Sequence, residues 1–293
     1  MNTLHPKDYA IEPDPTQFCA PGATVAVSMA PVDDRVSLKV FDFKPAEDHG
    51  RPLVVFVAGW ISLMDGWGAV LREMTRDFPV RYIETREKIS SEIRGRVRHG
   101  VEEIGHDVVK LVESWGLKEG EYLLLGSSLG ATAILDGARF FKARPLALIL
   151  IAPNAVFRVP KVFQAVIQAF WPPFYVVLRP VIKWYLRTFR MHVASDRAQY
   201  DKYCRALDTA DAYKLKNAAK AVWHYEVWDK LHTITIPTLI VGASQDKLHE
   251  PENMHRMVKL MPDARYLDME TNGATHSAAM VEALRVYLDE KKS

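Results

Sequence analysis

The spacing of hydrophobic and polar positions changes several times along the chain, and each change marks an element. Ala23 to Ala30 (ATVAVSMA) and Val36 to Phe43 (VSLKVFDF) alternate apolar and polar residues and are joined by Pro31-Val-Asp-Asp34. A period of two sends successive side chains to opposite faces, so the pair predicts a hairpin at one edge of a sheet. Leu53 to Ala58 (LVVFVA) is apolar at every position, the pattern of a strand covered on both sides. Val80 to Glu84 predicts a short strand. From Arg98 to Trp115 the period lengthens, and Val101, Ile104, Val108, Leu111, Val112 and Trp115 share one helical face. Tyr122 to Leu125 and Leu146 to Ile151 predict buried strands on either side of a helix from about Leu129 to Phe141. Further on come a strand at Thr238 to Val241, a helix opened by Pro251, a strand at Arg265 to Met269 and a helix from about Ser277 to Leu288.

This alternation predicts an α/β fold, a mostly parallel eight-stranded sheet with helices on both faces. The interval from Pro153 to Leu231 breaks the pattern, having helical periodicity but no good buried strand. It predicts a helical cap inserted after the sixth strand. The expected organisation is a core of residues 1–152 and 232–293 with a cap, or lid, at 153–231.

Composition narrows the class. The chain has 293 residues, 48% hydrophobic and 25% charged, with a formal net charge of +2. A charge so near neutral predicts no nucleic-acid partner. Two cysteines, Cys19 and Cys204, suit neither a disulfide framework nor a multi-cysteine metal site. They are expected to be free thiols in a reducing compartment, although one bridge between them stays open. The first residues, MNTLHPKDYAIEPDPT, hold no apolar run of signal-peptide length. No stretch of about 20 apolar residues predicts a membrane span, so the expected location is the cytoplasm. His99 and His106 flank Glu102 and Glu103, but a spacing of seven without a third histidine is a solvated helical face rather than a metal site.

The chemistry is carried by Glu121-Tyr-Leu-Leu-Leu-Gly-Ser-Ser-Leu-Gly130. Gly126, Ser128 and Gly130 form Gly-x-Ser-x-Gly after a buried strand and before a helix, the context of a nucleophile elbow. The tight turn lifts the Ser128 hydroxyl above the sheet, and the flanking glycines let strand and helix approach each other. The N–H of Leu129, at a helix N-terminus, is then placed to stabilise an oxyanion. Ser127 is a rival nucleophile at the wrong place between the glycines. A serine hydroxyl needs a base. Ile236 to Asp246 reads as a buried strand ending in a loop aspartate, and Thr271-Asn-Gly-Ala-Thr-His276 as a glycine-containing loop with a histidine before the last helix. Asp246 follows Ser128 by 118 residues and His276 follows Asp246 by 30, room for strand, cap and strand, then for a helix and a strand.

From Leu53 to Leu288 the chain resembles the α/β-hydrolase superfamily, residue by residue in the order Ser128, Asp246, His276, each at the C-terminal end of a strand. Trp228 to Asp246 is similar to the cap-exit and acid-strand signature of capped members. The resemblance implies Ser128 as nucleophile, His276 as base and Asp246 as the acid that orients it. An alternative acid position in some relatives falls at Ala152-Pro-Asn154, which has no carboxylate. Two departures stand out. Where members often have His-Gly after the first buried strand, this chain has Ala58-Gly59; Trp60 would still supply the second oxyanion N–H from its backbone. Where many relatives carry a glycine-rich Arg-Gly-His-Gly loop, this chain has Glu84-Thr-Arg-Glu-Lys-Ile-Ser-Ser91, so substrate analogies do not transfer.

A serine at the elbow excludes the aspartate-nucleophile dehalogenases and epoxide hydrolases of this fold. The expected function is hydrolysis of a small-molecule carboxylic ester with an apolar acyl or alcohol part, without cofactor or metal. Acyl transfer, thioester cleavage and amide cleavage use the same residues, and a non-catalytic binding module is the alternative of another class. Between Pro153 and Ser195 lie six basic residues (Arg158, Lys161, Arg179, Lys183, Arg187, Arg190), no acidic ones and nine aromatics. Arg179, Lys183, Arg187 and Arg190 line one stripe of a predicted helix; Val181, Ile182, Trp184, Tyr185, Leu186 and Phe189 line the other side. Two arrangements stay open: an apolar side turned to the pocket with the basic side in water, or a basic lid in weak contact with an anionic membrane surface.

Overall fold

A computed structural model describes residues 13–157, 159, 161–190, 197–246 and 250–292. Met1 to Glu12, Arg158 and the side chains of Phe163, Phe189 and Arg190 therefore lie outside the described residues.

Among the described residues, nine strands form one sheet. β1 (Thr24–Pro31) and β2 (Val36–Lys44) make the antiparallel edge hairpin that the alternation predicts, with Thr24 opposite Lys44. The turn is closed by Asp33, whose carboxylate accepts the N–H groups of Arg35 and Val36 at 2.8 and 2.9 Å. Then come β3 (Leu53–Val57), β4 (Val80–Ile83), β6 (Tyr122–Ser127), β7 (Leu148–Ile151), β8 (Thr238–Gly242) and β9 (Ala264–Asp268). The order across the sheet is β1-β2-β4-β3-β6-β7-β8-β9, parallel from β4 to β9. The ninth strand, β5 (Glu92–Ile93), is a two-residue antiparallel addition to β2 and gives no pattern in the sequence.

The all-apolar runs are explained by their neighbours. In β3, Val54 and Phe56 join one core layer with α1 (Gly68–Met74) and α10 (Ala278–Lys292). Val55 and Val57 join the opposite layer with α2 (Val101–Ser114), α3 (Leu129–Gly137) and α8 (Pro251–Leu260). Each side of the strand thus buries large apolar groups, worth roughly 1.5–3 kcal/mol per Val, Leu or Phe side chain. β1, by contrast, leaves Val27 and Met29 exposed at the sheet edge.

Between β7 and β8 the chain leaves the sheet for α4 (Lys161–Ala169), α5 (Tyr175–Tyr185), α6 (Arg197–Thr209) and α7 (Ala212–Val222). Among the described residues no helix is long and apolar enough to cross a membrane. Cys19 and Cys204 are free thiols.

Candidate active site

β6 ends at Ser127 and α3 begins at Leu129, so Ser128 alone makes the turn. Its φ is 47° and its ψ −117°, a strained conformation for a residue with a Cβ. The strain persists because the surroundings leave no alternative. A Cβ on Gly130 would lie 2.2 Å from the Val57 carbonyl oxygen, and one on Gly126 would lie 2.7 Å from the Ala131 Cα. Only glycines let α3 sit this close to β3 and β6. The Ser128 N–H donates to the Ile151 carbonyl at 2.8 Å, tying the turn to β7. Ser127 is turned elsewhere: its hydroxyl is buried and accepts the Gly59 N–H at 3.0 Å.

Asn154 stands out in the sequence only as a missing carboxylate. In the structure its Nδ2 donates to Ser128 Oγ at 3.0 Å. Thr132, one turn into α3, fixes it by accepting the Asn154 N–H at 3.0 Å. The signal that finds Asn154 is its place just beyond β7, the strand next to the elbow.

Asp246 lies just after β8. His276 caps α9 (Asn272–Thr275), one turn of helix where the sequence predicts a loop; the Thr271 hydroxyl closes it by accepting the Ala274 N–H at 3.2 Å. Asn272 links the two residues: its Nδ2 donates to Asp246 Oδ2 at 3.1 Å, and its carbonyl oxygen lies 3.0 Å from His276 Nδ1. The Thr275 hydroxyl, which donates to the same carbonyl at 2.8 Å, also lies 3.0 Å from Nδ1, so this nitrogen is held on the Asn272–Thr275 turn. The imidazole is stacked on buried Trp67, centroids 4.0 Å apart and planes 26° apart. Trp67 is held by an edge contact with Phe56 and by donating from Nε1 to the Ser62 hydroxyl at 2.9 Å.

Gly59 and Trp60 follow β3 beside the elbow, where a Cβ on Gly59 would lie 3.1 Å from the Ser128 Cβ. Among the described residues, no backbone carbonyl takes up the Trp60 N–H. The Leu129 N–H is the first of α3 and has no intrahelical partner.

The Glu84–Ser91 loop is a buried polar knot. Glu84, Thr85, Arg86, Glu87, Lys88 and Ser91 are all buried. Arg86 makes a two-pronged pair with Asp107 of α2, at 2.7 and 2.5 Å. Lys88 Nζ donates to the Gly59 carbonyl and lies 3.4 Å from Glu87. Burial pushes the Lys88 ammonium below the ordinary lysine value, against the opposing pull of Glu87 and Glu84. Lys214 of α7 donates to the carbonyls of Lys88 at 2.8 Å and of Ser91 at 2.7 Å, fastening the inserted helices to the loop.

A cavity of about 770 Å³ opens between this loop, β1, β2 and α6. Met29, Phe41, Ile61, Leu63, Met64 and Leu215 give it an apolar wall, with Glu87 and Lys88 at one side. The α5 helix is oriented opposite to one sequence expectation. Arg179 and Lys183 turn inward to Asp208 of α6, Lys183 Nζ at 2.7 Å from its carboxylate. Val177 and Val181 face outward, and with Val162, Val166, Trp171 and Phe174 each is more than half exposed.

Residues 54–289 match the model of the alpha/beta hydrolase family. No curated protein matches the chain. Among solved structures, the chain is similar to an esterase from Thermogutta terrifontis, 18% identical, with a TM-score of 0.71 over 91% of this chain and 98% of that one. A hydrolase from Pseudomonas aeruginosa is 19% identical, with a TM-score of 0.72 over 87% and 97%. An enol-lactonase from Burkholderia xenovorans is 15% identical, with a TM-score of 0.72 over 91% and 100%. At these identities the likeness is one of fold.

Proposed function

Because the chain belongs to the alpha/beta hydrolase family, we propose that it is a serine hydrolase cleaving a carboxylic ester with an apolar acyl or alcohol part. The observation that carries this reading is Ser128, held at φ 47° between β6 and α3 with its hydroxyl in contact with Asn154. In the proposed mechanism His276 Nε2 takes the Ser128 proton as Oγ attacks the ester carbonyl. Asp246, acting with Asn272, orients the imidazole and offsets its charge. The N–H groups of Trp60 and Leu129 hold the oxyanion, each worth about 3 kcal/mol. The proton passes to the leaving alcohol, and water then releases the acid from the acyl-enzyme by the same steps. The apolar cavity beside Ile61 suits the hydrocarbon part of the ester. Residues 1–152 and 232–293 serve in this reading as the catalytic core and 153–231 as its cap.

A fluorophosphonate probe tests the reading. It is expected to label the wild-type protein at Ser128 and to leave Ser128→Ala unlabelled. A folded wild-type protein that resists the probe is instead a non-catalytic binding module. Among substrates, p-nitrophenyl octanoate is expected to outperform the acetate. A thioester or amide outperforming both, or product partition toward an added alcohol, moves the assignment to thioesterase, amidase or acyltransferase.

The outward face of α4 and α5 supports a partner as well. Exposed valines and aromatics beside the exposed bases Lys161 and Arg187, in a stretch without acidic residues, suit the interface of an anionic membrane. Binding to phosphatidylglycerol vesicles is expected to fall when Val177 and Val181 are both changed to glutamate. Unchanged binding, or none by the wild type, rejects the membrane contact.

A further inference from the structure

The Glu84–Ser91 loop buries a lysine beside the peptide that the proposed mechanism needs. We propose that Lys88 is a positioning residue for the oxyanion hole, holding the Gly59–Trp60 peptide so that the Trp60 N–H faces the nucleophile. The inference rests on the serine-hydrolase reading and deepens it.

Lys88 Nζ donates to the Gly59 carbonyl oxygen. That oxygen and the Trp60 N–H belong to one peptide unit. The described backbone has no cis peptide, and in a trans peptide the C=O and N–H point in opposite directions. Fixing the carbonyl on the ammonium therefore fixes the N–H on the other side. On the N-terminal side Gly59 is pinned by its own N–H on Ser127 Oγ at 3.0 Å, beside Ser128. Among the described residues no backbone carbonyl competes for the Trp60 N–H.

The ammonium acts beside a local tie, since the Gly59 carbonyl also accepts the Ser62 N–H at 3.2 Å. Ile61, the residue after Trp60, has φ 49°, which a β-branched residue adopts only where its surroundings enforce it. A charged donor adds a second effect. Its hydrogen bond polarises the amide, leaving the N–H more positive and a stronger donor to an oxyanion. The Lys88 side chain is only 5% exposed, so little solvent screens this influence. Burying an ammonium is costly, and Glu87 at 3.4 Å offsets part of that cost. Lys214 completes the clamp from behind by holding the Lys88 carbonyl at 2.8 Å.

The test compares wild type, Lys88→Met and Lys88→Arg with p-nitrophenyl octanoate and with a trifluoromethyl ketone, which forms a serine-bound alkoxide in the oxyanion hole. Lys88→Met is expected to lower kcat roughly 10- to 100-fold with KM within about threefold, and to weaken the ketone by the same factor. Lys88→Arg keeps a charged donor and is expected to recover part of both. A folded Lys88→Met with kcat and ketone affinity within twofold of wild type overturns the proposal. So does a rise in KM alone, which assigns Lys88 to ground-state substrate binding. If Lys88→Met fails to fold because Glu87 is left unpaired, the double variant Glu87→Gln/Lys88→Met removes that charge and is read by the same criteria. A wild type that the fluorophosphonate does not label overturns the hydrolase reading and this inference together; a labelled wild type with an indifferent Lys88→Met overturns only this one.

Discussion

Replacing Gly130 with alanine tests how closely the proposed oxyanion segment depends on the packing of α3. The new Cβ would stand 2.2 Å from the Val57 carbonyl oxygen and 2.7 Å from that of Ala58. The first distance is 0.8 Å inside the 3.0 Å below which such contacts essentially do not occur. Both obstacles are backbone, so no side chain can swing aside. Either α3 or the Val57–Gly59 segment must move by most of that distance. Overpacking of this kind costs about 1–3 kcal/mol, which at roughly 2–4 °C per kcal/mol lowers Tm by several degrees. The larger effect falls on catalysis. Displacement of a catalytic group by about 1 Å costs on the order of 100-fold in rate, and here Gly59 and Trp60 are carried along with Val57 and Ala58. The assay is steady-state hydrolysis of p-nitrophenyl octanoate beside a thermal melt and circular dichroism. The expected result is a folded protein with kcat down about 100-fold. A Gly130→Ala protein with wild-type kcat and Tm refutes the reasoning, because it would mean that the strand and helix have slack which the contact distances deny.

Asn154→Ala removes the donor to Ser128 Oγ, a bond worth about 0.5–1.5 kcal/mol net; kcat/KM is expected to fall roughly 2- to 10-fold, and unchanged kinetics reject a role for the contact. Asp107→Ala strips Arg86 of its buried partner and is expected to cost about 3–5 kcal/mol of stability by urea unfolding. Burial pushes the Tyr175 phenol up to about 12. The unfolded phenol ionises near 10, so between these values the folded state keeps a proton the unfolded chain has lost, and stability falls as pH rises through that window. Tyr175→Phe is expected to flatten the fall of Tm above pH 10, at the price of the hydroxyl's bond to the Leu207 carbonyl; an unchanged slope counts against it.

The parts of this molecule legible in the sequence are those where a local pattern has one physical solution. LVVFVA fits only a strand covered on both faces, and the glycines around Ser128 fit only a tight strand-to-helix turn. What escaped was set by distant partners. The sequence marks Glu84–Ser91 only as a departure from its relatives; its burial depends on Asp107, Gly59 and Lys214, which lie 21, 29 and 126 residues from Arg86 and Lys88. The amphipathic pattern of α5 was plain, but not its rotation. Asp208 drew Arg179 and Lys183 inward, and pairing between helices is invisible to periodicity. Before His276 the glycine in Thr271-Asn-Gly-Ala-Thr predicts a loop, whereas the Thr271 cap closes one turn of helix. Gly68–Met74 gives little periodic signal because its apolar face is only two turns long.

Lys214 sets a limit on how freely such a protein can be rebuilt. Its ammonium is shared among the carbonyls of Lys88, Ile89 and Ser91 and the Ser91 hydroxyl. Exchanging the inserted helices for those of another hydrolase would take that cation away from the Ile89 and Ser91 carbonyls and leave the Lys88 carbonyl to the N–H and hydroxyl of Ser91 alone. The insertion is thus not an interchangeable module set over a finished scaffold. A graft that alters specificity here must carry across an amine at the position of Lys214, or bring its own Glu84–Ser91 loop with it.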